Sequence, residues 1–179
     1  MNTRGGALPC CIDFEASGLH PESYPIESGW SLPDGTVKSM LISPASVPHW
    51  THWDFNAEYA THQFSRARLI EVGHDPREVA EAMNADLKGL TVYSDNVGND
   101  EFWCDVLFEA AGIERQFTFG DYWSLLHSLG VRDETRRARL IEIAQTFVPG
   151  PYHRAGTDVR LMLAVVKGAM GAKLPRSPD

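Results

Sequence analysis

The chain has 179 residues, 43% of them hydrophobic and 22% charged, which suits one domain over residues 1–179 burying about two thirds of its unfolded surface. A formal net charge of −8 argues against a protein that wraps long nucleic acid through a broad basic face, since non-specific phosphate affinity is carried by Lys and Arg. A short or single-stranded partner gripped locally stays compatible, and bound metal would neutralise part of the acidity.

Residues 1–8 hold one arginine and no apolar run of leader length, and no stretch approaches 18 apolar residues, so the expected location is cytoplasmic. Leu8 to Phe14 reads as a strand ending in the Glu15-Ala16-Ser17-Gly18 turn. Ile26–Leu32 and Thr36–Ile42 follow, joined by Pro33-Asp34-Gly35, and an Asp-Gly between two such runs signals a hairpin. The opening is an antiparallel meander of three strands. Pro44 to Phe64 is irregular and rich in aromatics, with Trp50, Trp53, Phe55 and Tyr59 among His49, His52 and His62. Those aromatics are candidates for stacking on unpaired bases or for anchoring the segment to the core.

Asp75-Pro76-Arg77-Glu78 supplies an N-cap, a proline at N1 and a glutamate at N3, predicting a helix that carries Val79, Met83 and Leu87 on one face. Leu90–Ser94 is a short strand. Phe102, Trp103, Val106, Leu107, Ala110 and Ala111 recur at helical spacing until Gly112 stops the helix. Gln116–Phe119 reads as a last strand before helices near Asp121–Leu129 and Asp133–Phe147, the second burying Leu140, Ile141, Ala144 and Phe147 and exposing Arg136, Arg137 and Arg139. Pro149-Gly150-Pro151 breaks the chain ahead of a final helix whose residues Val159 to Ala169 are apolar almost all round, so it should pack on both sides. Cys10, Cys11 and Cys104 form an odd set without metal spacing and read as buried hydrophobes. A meander followed by alternating strands and helices defines one α/β domain, with a mixed sheet flanked by helices on both faces.

Four carboxylates and one histidine stand out. Asp13 and Glu15, two apart at a strand end, share one face of the sheet, where they repel unless a cation lies between them. A solvated strand terminus is the plainer explanation. Asp100 opens the helix after the strand Leu90–Ser94; the macrodipole alone favours an acid there, yet the carboxyl edge of a strand is where sites on α/β sheets gather. Asp95 and Asp105 compete with it, and Asp105 ranks last because it lies about 140° around the helix from Asp100. His-x4-Asp occurs as His49 to Asp54 and as His153 to Asp158. In the second pair, His153 belongs on the loop after Pro151 and Asp158 in the first turns of the last helix, so both converge on one cleft. Two divalent cations roughly 3.5–4 Å apart need several carboxylates to hold them, and a histidine near neutrality can take a proton from water.

Taken together, Cys11-Ile12-Asp13-Phe14-Glu15-Ala16-Ser17-Gly18-Leu19, Asp95-Asn96-Val97-Gly98-Asn99-Asp100 and His153 to Asp158 resemble the three motifs of the DEDDh family of 3′-to-5′ exonucleases, the DnaQ-like branch of the ribonuclease-H-like superfamily. The likeness runs from residue 9 to about 169. Ile26-Glu27 falls where the family often has a similar pair on its second strand. Asp95 stands in place of the usual His of the second motif, and Asn99 in place of the usual Phe. The resemblance implies a five-stranded mixed sheet, two Mg²⁺ or Mn²⁺ ions held by Asp13, Glu15, Asp100 and Asp158, and His153 as the base that deprotonates water. It implies release of nucleoside 5′-monophosphates from 3′ ends of single-stranded RNA or DNA. Ser17, Gly18 and Leu19 match the turn that contacts the terminal nucleotide, His62 matches a segment that approaches the bases, and Asn96 matches the asparagine of the second motif. A homodimer is compatible with the family, and no membrane partner is implied. Small size and acidity lean toward an exoribonuclease over a proofreading-type exodeoxyribonuclease. A nucleic-acid-binding accessory subunit of the same fold, or a hydrolase of small phosphodiesters, are the competing classes.

Overall fold

The structure, a computed structural model, describes residues 7–171; most of the leader reading and both ends of the 1–179 domain reading lie outside them. Strand β1 (Cys10–Ala16) pairs antiparallel with β2 (Pro25–Ser31), which pairs antiparallel with β3 (Val37–Leu41). Gly35, at φ +89°, turns the β2–β3 hairpin as its Asp-Gly predicts. On the other side of β1 lie two parallel strands, β4 (Thr91–Ser94) and then β5 (Thr118–Asp121), giving a five-stranded mixed sheet in the order β3-β2-β1-β4-β5.

Seven helices are described: α1 (Phe55–Ala57), which runs into a π-helical turn over Glu58–His62, α2 (Arg66–Val72), α3 (Pro76–Leu87), α4 (Val97–Ala111), α5 (Tyr122–Ser128), α6 (Glu134–Phe147) and α7 (Ala155–Ala169). The box on Asp75 and Glu78 starts α3, and Gly112, at φ +65°, ends α4. Helix α2 is not anticipated from the sequence, although Ser65 caps it by accepting from the Arg68 N–H. On α6 only Ala144 is fully buried; Leu140, Ile141 and Phe147 are half-buried because the helix packs mainly on α7 and faces water elsewhere. Phe102 on α4 is likewise 42% exposed.

Alternation along β1 sorts its side chains into two cores. Cys10, Ile12, Phe14 and Ala16 enter the larger core, with Val79, Met83 and Leu87 of α3 and Trp103 and Leu107 of α4. Cys11 points the other way, into a second core with Tyr122 and Leu126 of α5 and Val159, Met162 and Val166 of α7. The same period of two puts Asp13 and Glu15 on the Cys11 face, past the end of its apolar packing. Among the described residues no helix is long and apolar enough to cross a membrane.

Candidate active site

Two glycines set the depth at which α7 meets the sheet. A Cβ on Gly29 of β2 would stand 2.5 Å from the Ala155 carbonyl, and one on Gly156 would stand 2.8 Å from Ser39 Oγ. With neither present, the first turn of α7 lies directly on β2 and β3, beside β1, since Gly29 is the ladder partner of Asp13. Asp158, in that turn, therefore brings a carboxylate oxygen within 4.8 Å of oxygens from Asp13 and Glu15.

A second set overlaps the first. Asp13, Asp95 and Asp100 also place one oxygen each within 4.8 Å of one another. Asp100 is 1% exposed; it accepts from the Phe14 N–H at 3.3 Å and from the Ser94 hydroxyl. Asp158 accepts from the Arg154 N–H at 3.1 Å. Asp13 Oδ2 is shut off from solvent and has no hydrogen-bond partner among the described residues.

Charges this dense resist ionisation. Burial, reinforced by Asp158, Glu27 and Asp100, pushes Glu15 up to about 8, against the relief given by Arg154. Burial also pushes Asp100 up to about 7, with the Ser94 hydroxyl opposing the rise and Asp95 adding to it. Asp13 goes well above its usual range through burial and then the charges of Asp100, Glu15, Asp158 and Asp95. Burial raises Asp158 and Asp95 as well. Five crowded carboxylates with an orphaned buried oxygen fit divalent cations of the hard, oxygen-seeking kind, and neither three-residue set contains a sulfur or imidazole ligand.

His153 is exposed on the loop before α7, with φ +60°. The next residue, Arg154, donates from Nε to Glu27 Oε2 at 3.0 Å and from a terminal nitrogen to Glu27 Oε1 at 3.4 Å, while its guanidinium lies 4.1 Å from the Phe64 ring centroid. Glu27 is 3% exposed and sits directly opposite Glu15 in the ladder. Like charges so placed destabilise an antiparallel pair unless a cation intervenes, and Arg154 is that cation. Sequence reasoning assigned Arg154 no role; a signal was available in Glu15 and Glu27 falling on adjacent strands of one meander.

Beside Glu15 opens a cleft of about 340 Å³ lined in part by Gly18, Leu19, Ala60, His62 and Trp103. Leu19 is 83% exposed at its rim. Ser17 is turned inward, its Oγ accepting from the Tyr24 N–H at 3.1 Å. His62 is buried between Trp53 and Phe64. Its Nδ1 accepts from the Phe64 N–H at 3.1 Å, which leaves the ring proton on Nε2, an atom without a partner among the described residues; burial lowers its basicity. Asn96 is exposed ahead of α4.

The remaining candidates separate cleanly. Asp54 caps α1, and its companion His49 is exposed. Asp105 is exposed and lies 3.7 Å from Arg115, away from both carboxylate sets. Of the four aromatics, Trp50 is buried in a stack on Tyr24 and Trp53 is half-buried with its Nε1 donating to Glu58, whereas Phe55 and Tyr59 are 77% and 88% exposed.

The architecture is a single α/β layer fold around a five-stranded mixed sheet, with the carboxylates at the carboxyl edge of β1 and β4. Among solved structures the chain is similar to exonuclease I. The Escherichia coli enzyme in complex with a dA16 oligonucleotide superposes with a TM-score of 0.61 at 14% identity, covering 90% of this chain and 42% of that one. Its zinc-bound complex with single-stranded DNA gives 0.59 at 14%, covering 91% and 40%. A moderately thermophilic exonuclease I from Methylocaldum szegediense gives 0.58 at 15%, covering 88% and 39%. The likeness is one of fold, and this chain spans about two fifths of the length of those proteins. No family model matches the chain, and no curated protein sequence matches it significantly.

Proposed function

We propose that residues 9–169 form a single metal-dependent exonuclease domain of DEDDh type that removes nucleoside 5′-monophosphates from 3′ ends of single strands. The observation that carries this reading is the pair of three-carboxylate sets sharing Asp13 beside an open cleft. Asp13, Glu15, Asp100 and Asp158 hold two Mg²⁺ or Mn²⁺ ions. When bound, the ions supply charge neutralisation at the scissile phosphate and acidify the attacking water.

The chain does the rest by position. His153, carried on an exposed loop beside Asp158, takes the proton of the water as it attacks. Gly18 and Leu19 bear on the terminal nucleotide, with Ser17 holding their turn closed through Tyr24. His62 lines the cleft wall, and Asn96 lies on the flank where the strand arrives. The oligonucleotides bound to the exonuclease I neighbours are single-stranded and deoxy, so we take single-stranded DNA as the first substrate and RNA as the second, reversing the order that size and acidity suggest.

The test is incubation of the full chain with 5′-labelled single-stranded DNA and RNA of matched sequence, with Mg²⁺ or Mn²⁺, beside Asp13→Ala and His153→Ala. A ladder shortening one nucleotide at a time from the 3′ end is expected, abolished in Asp13→Ala and slowed about 10²–10⁴-fold in His153→Ala. No cleavage of either strand with either metal would overturn the reading.

A further inference from the structure

Asp95 has no place in the four-acid set, yet its position is held from several sides. Trp123 of α5 donates its Nε1–H to the Asp95 carbonyl at 3.1 Å, and the Arg137 guanidinium of α6 lies 5.0 Å from the Trp123 ring centroid. The following N–H, of Asn96, donates to Ser94 Oγ at 2.9 Å, and Ser94 in turn donates to Asp100. The β4–α4 turn is thus fixed to α5 and to the buried carboxylate together, and the Asp95 side chain stands against Asp13 and Asp100.

An exposed acid could turn into water, where repulsion from two neighbours would be screened. Here it faces them instead, while the buried Asp13 Oδ2 lacks a partner among the described residues. Both features are resolved by one cation. We propose that Asp95 is a metal ligand, completing with Asp13 and Asp100 a second divalent-cation position, so that the protein binds two cations through Asp13 before any nucleic acid arrives. This rests on the metal-dependent reading above and extends it. Two carboxylates alone would leave the second position dependent on phosphate oxygens of the substrate; three hold it in the free protein. A further acid also favours Mg²⁺ or Mn²⁺ through charge and hard oxygen donors, without any softer ligand.

The experiment is a titration of the full chain with Mn²⁺ in the absence of nucleic acid, free metal being followed by electron paramagnetic resonance, for the native protein, Asp95→Asn and Asp105→Asn. Two equivalents are expected for the native protein and for Asp105→Asn, whose carboxylate lies outside both sets. In Asp95→Asn one equivalent should persist and the other should weaken by about tenfold or more, since loss of even an outer-shell partner commonly costs that much. Circular dichroism should be unchanged, as the replaced side chain is exposed. A native protein that binds a single equivalent, or an Asp95→Asn variant that binds two as the native protein does, would overturn the proposal. Two equivalents sensitive to Asp95, with no strand cleaved, would sustain the site and remove the exonuclease reading instead.

Discussion

Gly29 of β2 and Ala155 of α7 meet so closely that a Cβ on Gly29 would stand 2.5 Å from both the carbonyl carbon and oxygen of Ala155. That contact fixes how far the helix descends onto the sheet, and hence where Asp158 lies relative to Asp13 and Glu15. Gly29→Ala must lift the first turn of α7 or bend β2. Overpacking of this kind costs about 1–3 kcal/mol, so the urea midpoint should fall by a matching amount. Divalent-metal affinity should fall with it, because Asp158 leaves the cluster while Asp95 and Asp100 stay. A variant with lower stability and native metal affinity would show that the contact does not position the site.

The Glu27–Arg154 pair yields a second expectation. Arg154→Ala leaves a buried carboxylate opposite Glu15 without its cation, a change that costs about 3 kcal/mol for a well-buried pair; Arg154 is about a third exposed, which places the expected loss at or below that figure. Adding Glu27→Gln removes the stranded charge. The double variant should therefore regain most of the stability in a denaturant titration, while the loop bearing His153 stays unanchored and turnover stays low. Equal instability of the single and double variants would rule out the charge argument.

Much of this was legible in the sequence because it depends on short-range rules. The Asp34-Gly35 hairpin, the capping box at Asp75, the Gly112 stop and the alternation that aligns Asp13 with Glu15 all follow from local chemistry. The loop position of His153 followed from helix geometry, since a continuous helix would point it away from Asp158. What the sequence concealed is long-range. Asp95 ranked as a rival to Asp100, whereas the structure brings both to Asp13, because the β4–α4 turn is held by Trp123 from 28 residues away. Likewise the sequence did not show that the Ser17 hydroxyl is turned inward, where it accepts from the Tyr24 N–H. Helix α2 escaped notice because it buries only Leu69 fully and so shows little apolar period.

Stability of the metal-free protein should fall as pH rises. Glu15 is raised from 4.5 to about 8 and Asp100 from 3.8 to about 7 in the folded state, so between roughly pH 4 and 8 the native state binds more protons than the unfolded chain. The slope of unfolding free energy against pH is then negative across that window. Tm measured in a chelator should drop by several degrees from pH 5 to pH 8, and saturating Mg²⁺ should restore it most at the upper end. At 100 times the dissociation constant the expected gain is about 2.7 kcal/mol per site. A metal-free Tm that rises over this range would contradict the crowding of these carboxylates.

Ser94 supplies the sharpest separation of protonation from ligation. Its hydroxyl, fully buried, donates to Asp100 and accepts from the Asn96 N–H, and it holds the Asp100 carboxyl below the value that burial alone would give. Ser94→Ala removes the donor without removing a ligand. Asp100 should then keep its proton to higher pH, and because a carboxylate must lose that proton to bind metal, affinity at pH 7 should fall by about 10–100-fold, the range typical of outer-shell partners. Raising the pH should close the gap, since the ligand set itself is intact. Asp100→Asn, by contrast, loses the ligand and should stay weak at every pH. Metal titrations of both variants at pH 7 and pH 9 decide the matter: a Ser94→Ala deficit that persists undiminished at pH 9 would mean that the hydroxyl orients Asp100 and leaves its ionisation untouched.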